Sequence, residues 1–504
     1  MRPVLASALV LLLIPALARA AEDPLAKDLL SDAIFMKAHW RMEIEATRVS
    51  DDSLVVRTTG AVFDFRPLDS VLLCSQRIGK AREVLGLTFP EGFLKGLRID
   101  AADTGAVILR SDGGLLAKVN CDSLLMLRAS REAIVSMSLR FPDEVSYHTG
   151  DNRLWIDSFG AVGVYPIKNA SLAPGGEPQR SPAYAVGVNG ELWIVVAPPR
   201  PYPWKESMEL RPLWQGTWES PQAAVPSDEK IRSYVGRGNL LWLQSEVMLW
   251  KDWHNAFEPR LPDELRRVIR TSHALGLRVM VYASPFYFTR GVGGNETFDG
   301  TNVGLYLQAL EDYLREFPET DGIYFDGLYG RSVANTYVCC RATRELIGDE
   351  RVLMVHCTHN APGGAWGKWS YNPAADTWAD CTLRGEGFGF VSSPWLRCFV
   401  SGYQTSNAIG FLCNNAGYYA PSRRQVEMVL RANCRLPYMT CDTDGWLRDA
   451  PVNPRLKEPA SQTKAKHVRA MTDWYYPRLD DALREWFEKI NEARAFEVAA
   501  DLPD

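Results

Sequence analysis

What this chain of 504 residues lacks narrows its function before anything it contains. No block of like charge occurs and the formal net charge is only −5, which argues against nucleic acid or an anionic membrane surface as the main partner. No G-x-G-x-x-G, P-loop or G-x-S-x-G pattern is found, so the sequence gives no ground for a nucleotide site or a serine hydrolase. Ten cysteines contain no C-x-x-C, and the adjacent pair Cys339-Cys340 falls on a helical pattern, which is wrong spacing for zinc. No metal and no cofactor is expected. Internal repeats and low-complexity segments are also missing.

After residue 20 no uninterrupted apolar run approaches twenty residues, so no membrane-spanning helix is expected in the mature chain. The first twenty residues read as a leader. Arg2 supplies a positive start, residues 4–17 form an apolar core interrupted by Pro15, and Ala18-Arg19-Ala20 fits a small-x-small cleavage site. The mature protein is expected to be secreted or periplasmic. No cysteine sits near the cleavage point, so no lipid anchor is expected there. An oxidising compartment would permit disulfides, but the pairing is not readable.

The length suits two or three domains. Residues 30–200 show short alternating runs separated by turn pairs such as Asp112-Gly113 and Asn189-Gly190, which predict an all-β sandwich. A proline-rich connector, residues 197–203, marks the boundary. From 204 to 497 the rhythm changes to strand and helix in alternation. Strands are expected at 213–218, 240–247, 278–284, 322–326, 352–357, 378–386, 409–413 and 437–441, and a long amphipathic helix at 465–493. The expected fold class is α/β: a (β/α)8 TIM barrel preceded by the sandwich, with an open doubly wound sheet as the alternative.

The chemistry centres on Asp321-Gly-Ile-Tyr-Phe-Asp326-Gly327, a short apolar run between helical patterns that ends in a carboxylate and a glycine. Alternation puts Tyr324 and Asp326 on one face. Catalytic groups of a barrel sit at the C-terminal ends of strands, so Asp326 is the candidate nucleophile. The sixth strand, read from Trp378, has a polar parity of Trp378, Asp380, Thr382, Arg384 and Glu386, which is expected to face the mouth. Glu386 ends that series and is the candidate acid/base, with Asp380 as the runner-up acid. Two opposed carboxyls are the apparatus of glycoside hydrolysis. The competing reading of Glu386 is a salt bridge to a neighbour such as Arg384.

These two motifs, Asp-Gly-Ile-Tyr-Phe-Asp-Gly and a later strand ending Arg-Gly-Glu-Gly-Phe, resemble the retaining α-glycosidase barrels of the α-galactosidase clan, including endo-α-N-acetylgalactosaminidases. They also resemble secreted bacterial proteins with a β-sandwich before the barrel. The resemblance covers residues 240–444 in pattern and implies a nucleophilic Asp after strand four, here Asp326. It implies an acid/base carboxylate after strand six, here Glu386 or Asp380. It also implies a carbohydrate substrate and retention of configuration. Many clan members carry a further β-domain after the barrel, where this chain has a helical pattern.

Other strand ends supply candidate substrate-binding residues. Asp252, Trp253 and His254 follow strand two, His356 and His359 strand five, and Asp442 and Asp444 strand eight. Tyr324, Trp378, Asp380 and Arg384 join them by parity. Thirteen of sixteen tryptophans lie from Trp204 onward, a supply of flat rings for sugar faces, although Trp is also ordinary core filler. Two alternatives stay open: a barrel that binds carbohydrate without cleaving it, and a hydrolase of another bond with metal at His356, His359, Asp442 and Asp444.

Overall fold

The structure is a computed structural model. It describes residues 40–50, 52–141, 143–173, 181–216, 220–290, 303–327, 333–357, 372–384, 396–413, 429, 432–435 and 438–439. The expected leader, Glu386, His359, Asp442, Asp444 and the 465–493 helix lie outside these residues.

Fourteen strands between Ile44 and Ala197 join into one antiparallel sheet, rather than the two separate sheets of a sandwich. The link is a single long strand, Ala183–Ala197. Its first part pairs with Ala133–Leu139 and its second part with Leu124–Ala129. The sequence predicts a turn at Asn189-Gly190. Instead Asn189 takes φ +57° and the strand continues through a region where the neighbouring register shifts. A left-handed residue inside a strand makes a bulge and a bend, so the strand serves both halves of the sheet. The sheet folds over a shared apolar core that includes Phe63, Leu85, Val119, Trp155 and Ile194.

The second half of the chain builds an eight-stranded parallel sheet, ordered along the chain from Pro212–Gln215 through Leu240–Leu243, Arg278–Tyr282, Gly322–Phe325, Val352–Cys357, Cys381–Arg384 and Ile409–Leu412. The eighth strand, Tyr438–Met439, pairs with the first. Backbone bonds from Leu412 N to Arg435 O (2.7 Å) and from Arg435 N to Gly410 O (2.9 Å) tie the seventh strand to the chain leading into the eighth. Helices Pro262–Ala274, Val303–Glu316 and Val333–Ile347 lie between successive strands. Their apolar stripes cover one face of the sheet, where Val279, Val281, Ile323, Phe325, Leu353 and Val355 point. The other face gathers Trp242, Met280, Tyr282, Tyr324, Met354, Cys381, Leu383 and Phe411 into one cluster. Trp242 and Tyr324, two strands apart, have ring centroids 4.3 Å apart, so the sheet curls around this cluster in a barrel-like form.

Asp122 of the antiparallel sheet anchors the two halves. Its Oδ2 accepts from Tyr337 Oη and Trp378 Nε1, both at 2.8 Å. Arg341 lies 4.0 Å away, its guanidinium 4.7 Å from the Trp378 ring centroid and its Nη1 donating to Asn120 Oδ1 at 3.1 Å. Asp122 and Arg341 are fully buried, so each charge depends on the other and on these donors and acceptors. Of the eight cysteines whose side chains are described, all but Cys413 are buried.

Candidate functional site at the C-terminal strand ends

Gly322–Phe325 is buried on both faces, which explains its unbroken apolar reading. Tyr324 points to the inner cluster, and Asp326 follows two residues later, just beyond the strand's C-terminal end. Its backbone is pinned there. Ser284 Oγ donates to Asp326 O at 2.6 Å, and Gly327 N donates to Asp326 Oδ1 at 2.8 Å. Gly327 takes φ +77°, and a Cβ there would meet Tyr287 ring atoms at 2.5–2.7 Å, so glycine is required by both backbone and neighbour.

His356 comes in from the adjacent strand on the same inner parity as Met354. Its Nδ1 lies 2.8 Å from Asp326 Oδ1 and 2.7 Å from the Tyr324 hydroxyl. Burial opposes charge on this imidazole. The Cys413 thiol and the Asp326 carboxylate outweigh it and hold the His356 pKa well above its ordinary value. Tyr282 Oη reaches Asp326 Oδ2 at 3.5 Å, the long limit of a hydrogen bond. Asp326 therefore presents an oriented carboxylate, one-fifth exposed, beside a charged imidazole.

Aromatic rings stand around it. Trp253 packs 5.8 Å from Tyr282 and 5.3 Å from Tyr287, centroid to centroid, and Tyr282 lies 5.6 Å from Tyr324. The structure thus brings together Asp326, Tyr324, His356 and Trp253. Of the other two candidates after strand two, His254 ties its loop to the one after strand three and packs its ring on Trp253, while Asp252 serves its own loop. His254 Nδ1 meets the Tyr287 carbonyl at 2.7 Å, and exposed Asp252 accepts from Asn255 Nδ2 at 2.8 Å.

The sixth strand corrects the parity expected of it. Cys381 and Leu383 face the inner cluster, so Thr382 and Arg384 face outward. Arg384 is buried among the outer layers, paired with Asp376 and the Phe399 carbonyl. Asp380 lies at the N-terminal end of the strand, the opposite end from Asp326. Its Oδ2 accepts from Leu353 N at 2.7 Å and pairs with Arg344. Asp321 does the same before strand four, accepting from Val279 N at 2.7 Å. Asp380 is thus the counterpart of Asp321, a brace where a strand starts, and cannot serve as the acid at the far end. Trp378 precedes the strand and is fully buried against Asp122 and Arg341, away from the mouth. A cavity of about 420 Å³ does open at the Asp380 end, but it is lined by charged side chains such as Arg200, Arg278, Arg351, Glu206, Asp349 and Asp380, with no aromatic ring among its lining residues for a sugar to stack on.

Sequence reasoning missed Tyr282, Ser284 and Cys413. Parity from the inward residues of strands three and seven, Met280 and Phe411, points to Tyr282, Ser284 and Cys413. Of the metal alternative, only His356 is described, and its Nδ1 is engaged by Asp326 and Tyr324.

No family model matches the chain, and no curated protein matches it. Solved structures similar to it include a GH31 α-xylosidase from a soil metagenome complexed with xylose, at 11% identity and TM-score 0.38 over 90% of this chain and 89% of that one. A glucosidase II α subunit is similar at 10% identity and TM-score 0.37, over 94% and 72%. A GH36 α-galactosidase variant from Geobacillus stearothermophilus in complex with raffinose is similar at 10% identity and TM-score 0.37, over 88% and 73%. Similarity at this level carries no weight for function, which must be read from the site itself.

Proposed function

We propose that the chain is an exported glycoside hydrolase that cleaves O-glycosidic bonds in a polysaccharide or glycan, with Asp326 as nucleophile and Glu386 as acid/base. In this reading the parallel sheet is the core of a (β/α)8 barrel, spanning residues 204–497 behind an N-terminal β-domain at 30–200. The observation that carries it is the oriented Asp326 carboxylate, 2.8 Å from His356 Nδ1 at a C-terminal strand end, within a wall of Trp253, Tyr282, Tyr287 and Tyr324. A carboxylate attacking an anomeric carbon needs orientation more than basicity, and the imidazole and backbone N–H supply it. Trp253 and Tyr287, the half-buried rings of that wall, offer apolar faces to a pyranose, while the buried Tyr282 and Tyr324 hold Asp326 and His356 in place. Glu386 would protonate the leaving oxygen and then activate water, which gives net retention.

The test is Asp326→Asn assayed on a panel of aryl glycosides. The expected result is loss of turnover in a folded protein, with the first-formed sugar of the wild type retaining its anomeric configuration by NMR. Unchanged turnover in Asp326→Asn would overturn the assignment.

A further inference from the structure

The mouth holds a second nucleophile besides the carboxylate. Cys413 follows the seventh strand, Ile409–Leu412, by one residue, and its backbone N–H donates to Arg384 O at 2.5 Å. That bond extends the strand's alternation, so Cys413 shares the inward parity of Phe411 and packs against the inner cluster. Its thiol is hydrogen-bonded to the His356 imidazole, whose Nδ1 faces Asp326 and Tyr324. Thiol, imidazole and carboxylate therefore stand in series, from strands seven, five and four, with the ring in the middle. Of the eight described thiols seven are buried, and Cys413 alone among them is partly open.

We propose that Cys413 is an activated thiol nucleophile, held as a thiolate beside the His356 imidazolium that Asp326 and Tyr324 orient, and that it takes soft carbon electrophiles at the mouth. A cysteine beside an imidazolium is the electropositive, partly exposed setting in which thiols react. With a haloacetamide the step balances simply. Sulfur attacks the methylene carbon, the S–C bond forms as the C–I bond breaks, iodide leaves with the bonding pair, and the thiol proton stays on His356 or passes to solvent. The site needs no glycoside to reveal itself, so it stands or falls apart from the hydrolase reading.

The full-length wild type is treated with iodoacetamide from pH 7 to 9 and alkylation of each cysteine is followed by peptide mapping. The Cys413 rate is expected to be nearly flat, whereas a free cysteinyl peptide speeds up by more than about tenfold over that range. The flat component should vanish in Cys413→Ser, and His356→Asn should restore the steep profile at Cys413. A steep profile for Cys413 in the folded wild type would overturn the proposal. So would a Cys413 that stays inert until the chain is unfolded, and both outcomes are read on the wild type even where His356→Asn fails to fold.

Discussion

Asp326 Oδ1 stands 2.8 Å from His356 Nδ1, across the ends of the fourth and fifth strands. The pair ties a solvent-facing carboxylate to a buried ring, so it links the barrel-like core to the chemistry at its mouth. The raised His356 pKa makes it a stability device as well. A group whose folded-state pKa is raised adds stability that is fully present below its unfolded value, about 6.5 for histidine, and is lost as pH rises through the folded value. His356→Asn is therefore expected to cost about 1.5–3 kcal/mol near pH 6, with the gap to wild type narrowing at alkaline pH. Urea unfolding of both proteins at the two pH values measures it. A gap that widens with pH would contradict the charged imidazole.

Gly327→Ala strikes the same mouth from the backbone. An alanine at φ +77° is strained by about 1–2 kcal/mol, and its Cβ displaces the Tyr287 ring, which packs on Trp253. The expected outcome is a loss of stability together with a rise in KM for any glycoside the wild type turns over. In a Tyr287→Ala background the added cost of Gly327→Ala should shrink to the backbone strain alone, because the clash has gone. A double-mutant cycle on melting temperature reads that coupling.

Asp326 was legible in the sequence because its strand is a short apolar run closed by Asp-Gly, with a helical pattern on each side. The order of the second to fifth parallel strands was legible for the same reason, since long helices such as Pro262–Ala274 separate them. Side-chain parity on the sixth strand was not. A strand buried on both faces gives no polar-versus-apolar contrast with water to reveal which way it points. Here the inner face is the apolar one, Cys381 and Leu383, and the polar residue Arg384 is satisfied outside by Asp376. Polarity suggested the reverse. Cys413 was passed over because a cysteine after an apolar run reads as a small hydrophobe, and only its meeting with His356 gives it chemistry.

Asp380→Asn separates the two ends of the sheet. Its carboxylate braces Leu353 N and Arg344 at the N-terminal ends of the strands, so the change should cost about 1–3 kcal/mol of stability. Turnover per folded molecule should stay within about twofold of wild type, since ordinary surface-to-site coupling over that distance is small. Steady-state kinetics beside a thermal melt make the comparison. A loss of a hundredfold or so in kcat would return Asp380 to the role of acid.

Asp122 tests what holds the antiparallel sheet to the helices of the parallel one. Burial pushes its carboxyl pKa up, while Arg341, Tyr337 and Trp378 pull it back down. Asp122→Asn keeps an oxygen that accepts from Tyr337 Oη and Trp378 Nε1 but loses the attraction to Arg341 and the acceptor that Oδ1 offers Leu124 N at 3.2 Å. Asp122→Ala strands both donors and the guanidinium together. The alanine variant should therefore lose about 3–5 kcal/mol, and the asparagine variant clearly less. Hydrogen exchange locates the loss: protection should fall at Leu124–Ala129 and at Val333–Ile347, the segments that flank the pair, before it falls at Gly322–Phe325. Equal costs for the two variants would mean that the ion pair, rather than the shared acceptor, binds the two sheets.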